Sequence, residues 1–120
     1  MEDLIAFVKA RLDEAEVVAK ESADLARKAG WVTDDEIDGW NFGAHPMRDL
    51  RDIAAKRARL ALMAEATAEM DKLLADQHAG DVNRAMAIGR ARAATVAVKY
   101  DAAIWSDHFD YQAEFAKGIS

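Results

Sequence analysis

Residues 46–105 read PMRDLRDIAAKRARLALMAEATAEMDKLLADQHAGDVNRAMAIGRARAATVAVKYDAAIW, and this stretch decides the fold. Its apolar side chains recur at three-, four- and seven-residue steps, which is typical of one face of an α-helix. Gly80 interrupts the pattern and Asp81 is a favoured N-cap residue, so two helices are predicted, over 46–78 and 82–105. The stripe on the first of them is Ile53, Leu60, Met63, Thr67, Met70 and Leu74.

The short connection predicts that these two helices pack as antiparallel neighbours. The face expected on the second helix is Val82, Ala85, Met86, Gly89, Ala93, Val96, Tyr100 and Ala103. The close pairs expected from simple antiparallel pairing are Met70 with Gly89, Met63 with Val96, and Ile53 with Trp105.

The flanking segments complete an all-α architecture. A long N-terminal helix is predicted from Asp3 to Ala29, about 40 Å in length. Residues 30–45 form an aromatic-rich loop, and a short C-terminal helix is predicted over His108 to Lys117, anchored by aromatic side chains. The sequence therefore predicts a single helical domain over residues 1–120, in the form of an elongated helical bundle.

Composition supports helices and excludes several functional classes. Hydrophobic residues are 52% of the 120, but 27 of them are alanine, which suits closely packed helices. The chain has one proline, six glycines and no cysteine, so a disulfide framework, a thiolate metal site and a cysteine nucleophile are excluded. The sequence has no apolar run long enough to span a membrane, and its N-terminus lacks the layout of a signal peptide. We therefore expect a soluble, cytoplasmic protein without membrane association.

The histidines give little support to catalysis or metal binding. His45, His78 and His108 lie far apart in sequence, without the spacing of a metal site. The best local constellation is Asp107-His108-Phe109-Asp110, with Asp101 nearby, and capping or solvation explains it more simply. We predict no catalytic residue, no cofactor and no metal, and we expect that the protein is not an enzyme.

The net charge of −6 disfavours binding to nucleic acid, although it hides two basic segments. Residues 46–59 carry five bases and two acids, and residues 81–99 carry four bases and one acid. Arg57 and Arg59 are therefore candidate phosphate contacts. Pairing with acids of the first helix and of the C-terminal segment is the favoured alternative.

Aromatic residues in the loop are the first candidates for a protein contact. Trp31, Trp40 and Phe42 lie within sixteen residues, and Trp40 and Phe42 are suited to act as anchors for a partner. The 35 large apolar side chains are hard to bury in a long thin monomer. Pairing of two bundles solves this problem, so a homo-oligomer, most simply a dimer, is expected.

Three segments resemble a family of short uncharacterised proteins of actinobacteria and their phages. Residues 2–14, EDLIAFVKARLDE, resemble its acidic opening helix, and residues 45–57, HPMRDLRDIAAKR, resemble its second helix. Residues 105–115, WSDHFDYQAEF, are similar to its closing segment, with Phe109 in place of a proline and Phe115 in place of a tryptophan. Residues 14–44 lack the family's proline-tryptophan turn and short strands. The resemblance implies a phage or actinobacterial accessory protein, and it assigns no site.

These features predict a non-enzymatic interaction protein that binds a host or phage protein, in the host cytoplasm if the protein is phage-encoded. One alternative is a nucleic-acid-associated protein that uses the basic faces of the second and third helices. Another is a structural component of a virion or assembly.

Overall fold

A computed structural model describes residues 2–30 and 46–118. It contains three α-helices in this part of the chain: α1 (Glu2–Lys28), α2 (Pro46–Ala75) and α3 (Asp81–Ala103). A 3₁₀ turn over Ala113–Ala116 follows, and there is no strand among these residues. The all-α prediction is confirmed.

The predicted ends of the helical hairpin are corrected in two places. Helix α2 ends at Ala75, because the side chain of Asp76 accepts a hydrogen bond of 2.9 Å from the backbone N–H of His78 and turns the chain. Gly80, rather than Asp81, is the N-cap of α3, and no side chain caps this helix.

The predicted C-terminal α-helix is instead a series of tight turns. The backbone N–H groups of Trp105, His108 and Tyr111 each donate to a carbonyl three residues earlier, at 2.9–3.0 Å. Such bonds produce 3₁₀-like turns and not an α-helix. The segment ends in the 3₁₀ turn that buries Phe115.

The antiparallel arrangement of α2 and α3 is confirmed. The Arg59 guanidinium on α2 binds the Asp101 carboxylate on α3, and Ile53 and Trp105 line a common cleft, as predicted. Helix α1 packs against α2, and its Asp13 and Glu16 both contact Arg57 near the middle of α2.

The core lies where the first half of α1, the middle of α2 and the second half of α3 meet. Met63 and Val98 are fully buried in it, beside Leu12 of α1. The buried members of this cluster are Leu4, Phe7, Val8, Leu12, Ala19, Ile53, Leu60, Met63, Ala94, Val98, Ala102 and Phe115.

The prediction of which face of α3 packs inward is wrong. Val82, Met86 and Tyr100 are 72%, 51% and 55% exposed. The face that packs inward carries mainly small residues, namely Ala87, Ala91, Ala94, Thr95, Val98 and Ala102. Small side chains let the axes of α2 and α3 approach closely, so the larger residues lie outside.

The molecule is elongated, as predicted. Its principal extents are 62 × 31 × 21 Å and its radius of gyration is 18.3 Å, whereas a compact domain of this length has a radius of about 14 Å. None of the helices described in residues 2–30 and 46–118 has the length and apolar composition needed to cross a bilayer.

Candidate functional site

A groove between α2 and α3 combines an apolar floor with charged side chains. Its volume is 550 Å³, and it is lined by these two helices alone. Leu62 is its large apolar residue, 57% exposed, and alanines of both helices form its floor. We call it the outer groove, and its lining is Arg59, Leu62, Glu65, Ala66, Glu69, Ala87, Arg90, Ala93, Ala94 and Ala97.

The exposed apolar stripe of α3 extends the outer groove at both ends. Met86 precedes Arg90 by one helical turn, and Tyr100 follows Ala97 by one turn. Both are about half exposed, and Val82 lies one turn beyond Met86. A continuous apolar strip along a helix, flanked by charged residues, is typical of a surface that another helix covers.

Charged side chains of both signs stand along the outer groove. Arg59 is already paired, because Nε and Nη2 bind the two carboxylate oxygens of Asp101 at 2.6 and 3.0 Å. This pairing raises the pKa of Arg59. Glu65, Glu69 and Arg90 form no ion pair with any residue that the structure describes. Their charges are available to a second surface.

Arg57 lies on a different side of α2, against α1. Its Nη2 donates to Asp13 at 2.9 Å and to Glu16 at 2.5 Å. Arg57 and Arg59, the two candidate phosphate contacts, are therefore each held by carboxylates and lie on separate surfaces. Pairing with acids, the favoured alternative, is what the structure has: Arg57 binds acids of α1, and Arg59 binds Asp101 near the C-terminal end of α3.

The pKa of Glu16 tests this arrangement. The hydrogen bond from Lys20 is the largest cause that lowers the pKa of Glu16 below its ordinary value, and the hydrogen bond from Arg57 is the second largest. A carboxyl group whose pKa is lower in the folded protein than in the unfolded chain stabilises the fold at pH values above its pKa in the unfolded chain. This contribution is lost as the pH falls through its pKa in the folded protein. We expect the pKa of Glu16 to rise in Lys20→Gln and, by a smaller amount, in Arg57→Gln. Carboxyl-carbon NMR titration measures both, with Lys9→Gln as the control, and an unchanged pKa in both variants contradicts the ion-pair geometry.

His108, the best catalytic candidate in the sequence, is part of a structural contact. Its ring nitrogens contact the guanidinium of Arg11, at 2.8 Å for Nδ1, and Arg11 is 8% exposed. Arg11 also binds Glu14 at 3.1 Å and lies 5.5 Å from the centre of the Phe7 ring. Asp101 belongs to the Arg59 pair and not to this cluster.

No group of three or more His, Asp and Glu side chains in residues 2–30 and 46–118 has the geometry to hold a metal ion. Trp40 and Phe42, the predicted partner contacts, lie outside the described residues, as do Trp31 and His45.

Sequence reasoning singled out Arg59 but missed most of the other residues of the outer groove. Leu62, Glu69 and Arg90 were not singled out, because the inward face of α3 was placed one stripe away from its true position. A signal was present: Met86, Ala93 and Tyr100 follow seven-residue spacing beside a second stripe made mainly of alanine.

Comparison with known proteins gives one family. The sequence model of DUF6221, described as a family of unknown function, matches residues 1–117. Neither a curated protein nor a solved structure matches the chain.

Proposed function

The chain belongs to the DUF6221 family, a family of unknown function, and we propose that it acts without catalysis, as a small helical protein that binds another polypeptide through the outer groove. The observation that carries the proposal is that Leu62, Met86 and Tyr100 are exposed beside Glu69 and Arg90, which have no ion pair among the residues that the structure describes. A groove of this kind fits the apolar face of a helix. Its setting, on this proposal, is the cytoplasm of an actinobacterial cell or of a phage-infected host, as the three resembling segments imply.

Two alternatives remain with less support. A nucleic-acid role would use the bases of residues 48–59 and 84–99, and two of these, Arg57 and Arg59, already hold carboxylates. It predicts strongly salt-dependent binding that is weakened when either arginine is replaced. A structural role in a virion predicts higher oligomers and the presence of the protein in purified particles.

Site-specific photo-crosslinking tests the proposed function. A photo-reactive amino acid replaces Ala93 on the floor of the groove in one variant, and the exposed Glu21 of α1 in a control variant. We expect a discrete protein adduct from position 93 and none from position 21, with nuclease treatment leaving the adduct intact. A second version of the position-93 protein that also carries Leu62→Lys should lose the adduct.

The outcomes separate the hypotheses. Absence of an adduct from position 93, or an adduct that persists with Leu62→Lys, overturns the proposed role of the outer groove. An adduct that disappears with nuclease supports the nucleic-acid alternative instead.

A further inference from the structure

We infer that the outer groove is covered by the outer groove of a second copy of this chain, in a four-helix bundle whose twofold axis runs parallel to α2 and α3. This inference rests on the proposed function, because it names the partner of the same surface.

The register between α2 and α3 supplies the geometry. Arg59 is level with Asp101, and Ala66 and Ala94 line the groove together. Counting ten residues along each of the two antiparallel helices from the Arg59–Asp101 pair puts Glu69 level with Ala91, about 1.5 Å along the axis from Arg90. A twofold axis parallel to the helices keeps every residue at its own level and exchanges α2 with α3. Glu69 of one copy therefore lies opposite Arg90 of the other.

The apolar residues match in the same arrangement. Leu62 is within one residue of the level of Ala97, so the leucine of one copy lies against the small residues and Tyr100 of the partner's α3. Each α2 then has an α3 on both sides, and all neighbouring helices are antiparallel, as in an up-and-down four-helix bundle. The alanine floor lets the two pairs of helices approach closely.

The charges favour this arrangement over the other face-to-face dimer. In that other dimer the twofold axis is perpendicular to the helices, so α2 packs on the partner's α2. When the axis passes through the centre of the groove, Glu65 of one copy lies opposite Glu69 of the other. Like charges opposed in this way are unfavourable. The parallel axis instead creates two equivalent Glu69–Arg90 pairs from side chains that have no ion pair within the described monomer.

The size of the surface is that of a small specific dimer. The stripe from Val82 to Tyr100 is about 27 Å long, and two helices side by side are about 20 Å wide. Two such faces cover about 1,100 Å² in total, close to the lower end of specific interfaces. We therefore expect a reversible dimer in equilibrium with the monomer.

A charge exchange tests the pairing directly. Sedimentation equilibrium of the full chain over a wide range of concentration should give a monomer–dimer equilibrium, with a dimer of about 26 kDa for a chain of 13.2 kDa.

Glu69→Arg and Arg90→Glu should each weaken the dimer by about tenfold or more, because each breaks two pairs and opposes like charges. The double variant E69R/R90E restores both pairs with reversed polarity, and its dissociation constant should return to within about threefold of the original.

Controls keep folding and association apart. Glu21→Arg and Lys9→Glu change the same charges on exposed positions of α1 and should leave the dimer intact. Circular dichroism checks that every variant keeps its helices. A monomeric wild-type protein, single variants with unchanged dimers, or a double variant that fails to recover would each overturn the inference.

The proposed function can survive that failure. A wild-type protein that stays monomeric, while position 93 crosslinks to a chain of a different mass, overturns self-pairing and leaves the binding role of the groove. Absence of any adduct from position 93 overturns both.

Discussion

Phe7→Ala is expected to lower the free energy of unfolding by about 3–5 kcal/mol. Phe7 is 7% exposed and joins α1 to the C-terminal segment. Its ring centre lies 5.3 Å from Phe115, 5.7 Å from Tyr111 and 6.4 Å from Trp105. Truncation removes these contacts and leaves a cavity. A small domain has about 5–15 kcal/mol of stability in total, so the loss is a large fraction of it.

Urea denaturation followed by circular dichroism measures this change, and Phe109→Ala is its matched control. Phe109 lies in the same aromatic segment and is 89% exposed, so its removal should change the unfolding free energy by less than about 0.5 kcal/mol. Equal losses in the two variants would contradict the packing of the C-terminal segment on α1.

The order of the three α-helices was predictable from the sequence, because helical periodicity is a local property, whereas the turns of the C-terminal segment were not. Ile53, Leu60 and Met63 are buried as their spacing predicts. The ends were less predictable: whether a side chain such as that of Asp76 closes a turn depends on backbone geometry that periodicity does not specify.

The inward face of α3 was not predictable from periodicity alone. This helix carries two stripes side by side, one with Val82, Met86 and Tyr100 and one made mainly of alanine. A rule that buries the largest apolar residues selects the first stripe. Close approach of the helix axes selects the second, because only small side chains fit between two adjacent backbones. The choice depends on the distance between helices, which is a property of the fold.

The contacts of the candidate site were not predictable for the same reason, because they depend on how the helices pack. Pairing of Arg57 and Arg59 with carboxylates was foreseen as an alternative, but the identity of the partners, Glu16 and Asp101 among them, depends on how three helices align. The outer groove follows from the face that α3 turns inward, so it appeared only with the structure. Trp40 and Phe42 stay predictions.

Lysine at position 63 should unfold the protein, whereas lysine at position 62 should leave it folded. Met63 is 0% exposed in the centre of the core, within a cluster of buried apolar side chains. A charge buried without a partner costs several kcal/mol, in addition to the lost packing of the methionine. Met63→Lys is therefore expected to remove most of the stability.

Leu62→Lys makes the same kind of change one residue earlier on the same helix. Leu62 is 57% exposed, so the lysine ammonium stays in water and the unfolding free energy of the dilute monomer should change by less than about 0.5 kcal/mol. At higher concentration this variant should fail to dimerise, because each copy would place a charge on the alanines of its partner. Thermal and urea unfolding of both variants, with sedimentation of Leu62→Lys, separate the two effects. If instead Leu62→Lys unfolds the chain and Met63→Lys does not, α2 is rotated by one residue, the outer groove is part of the core, and both proposals fail together.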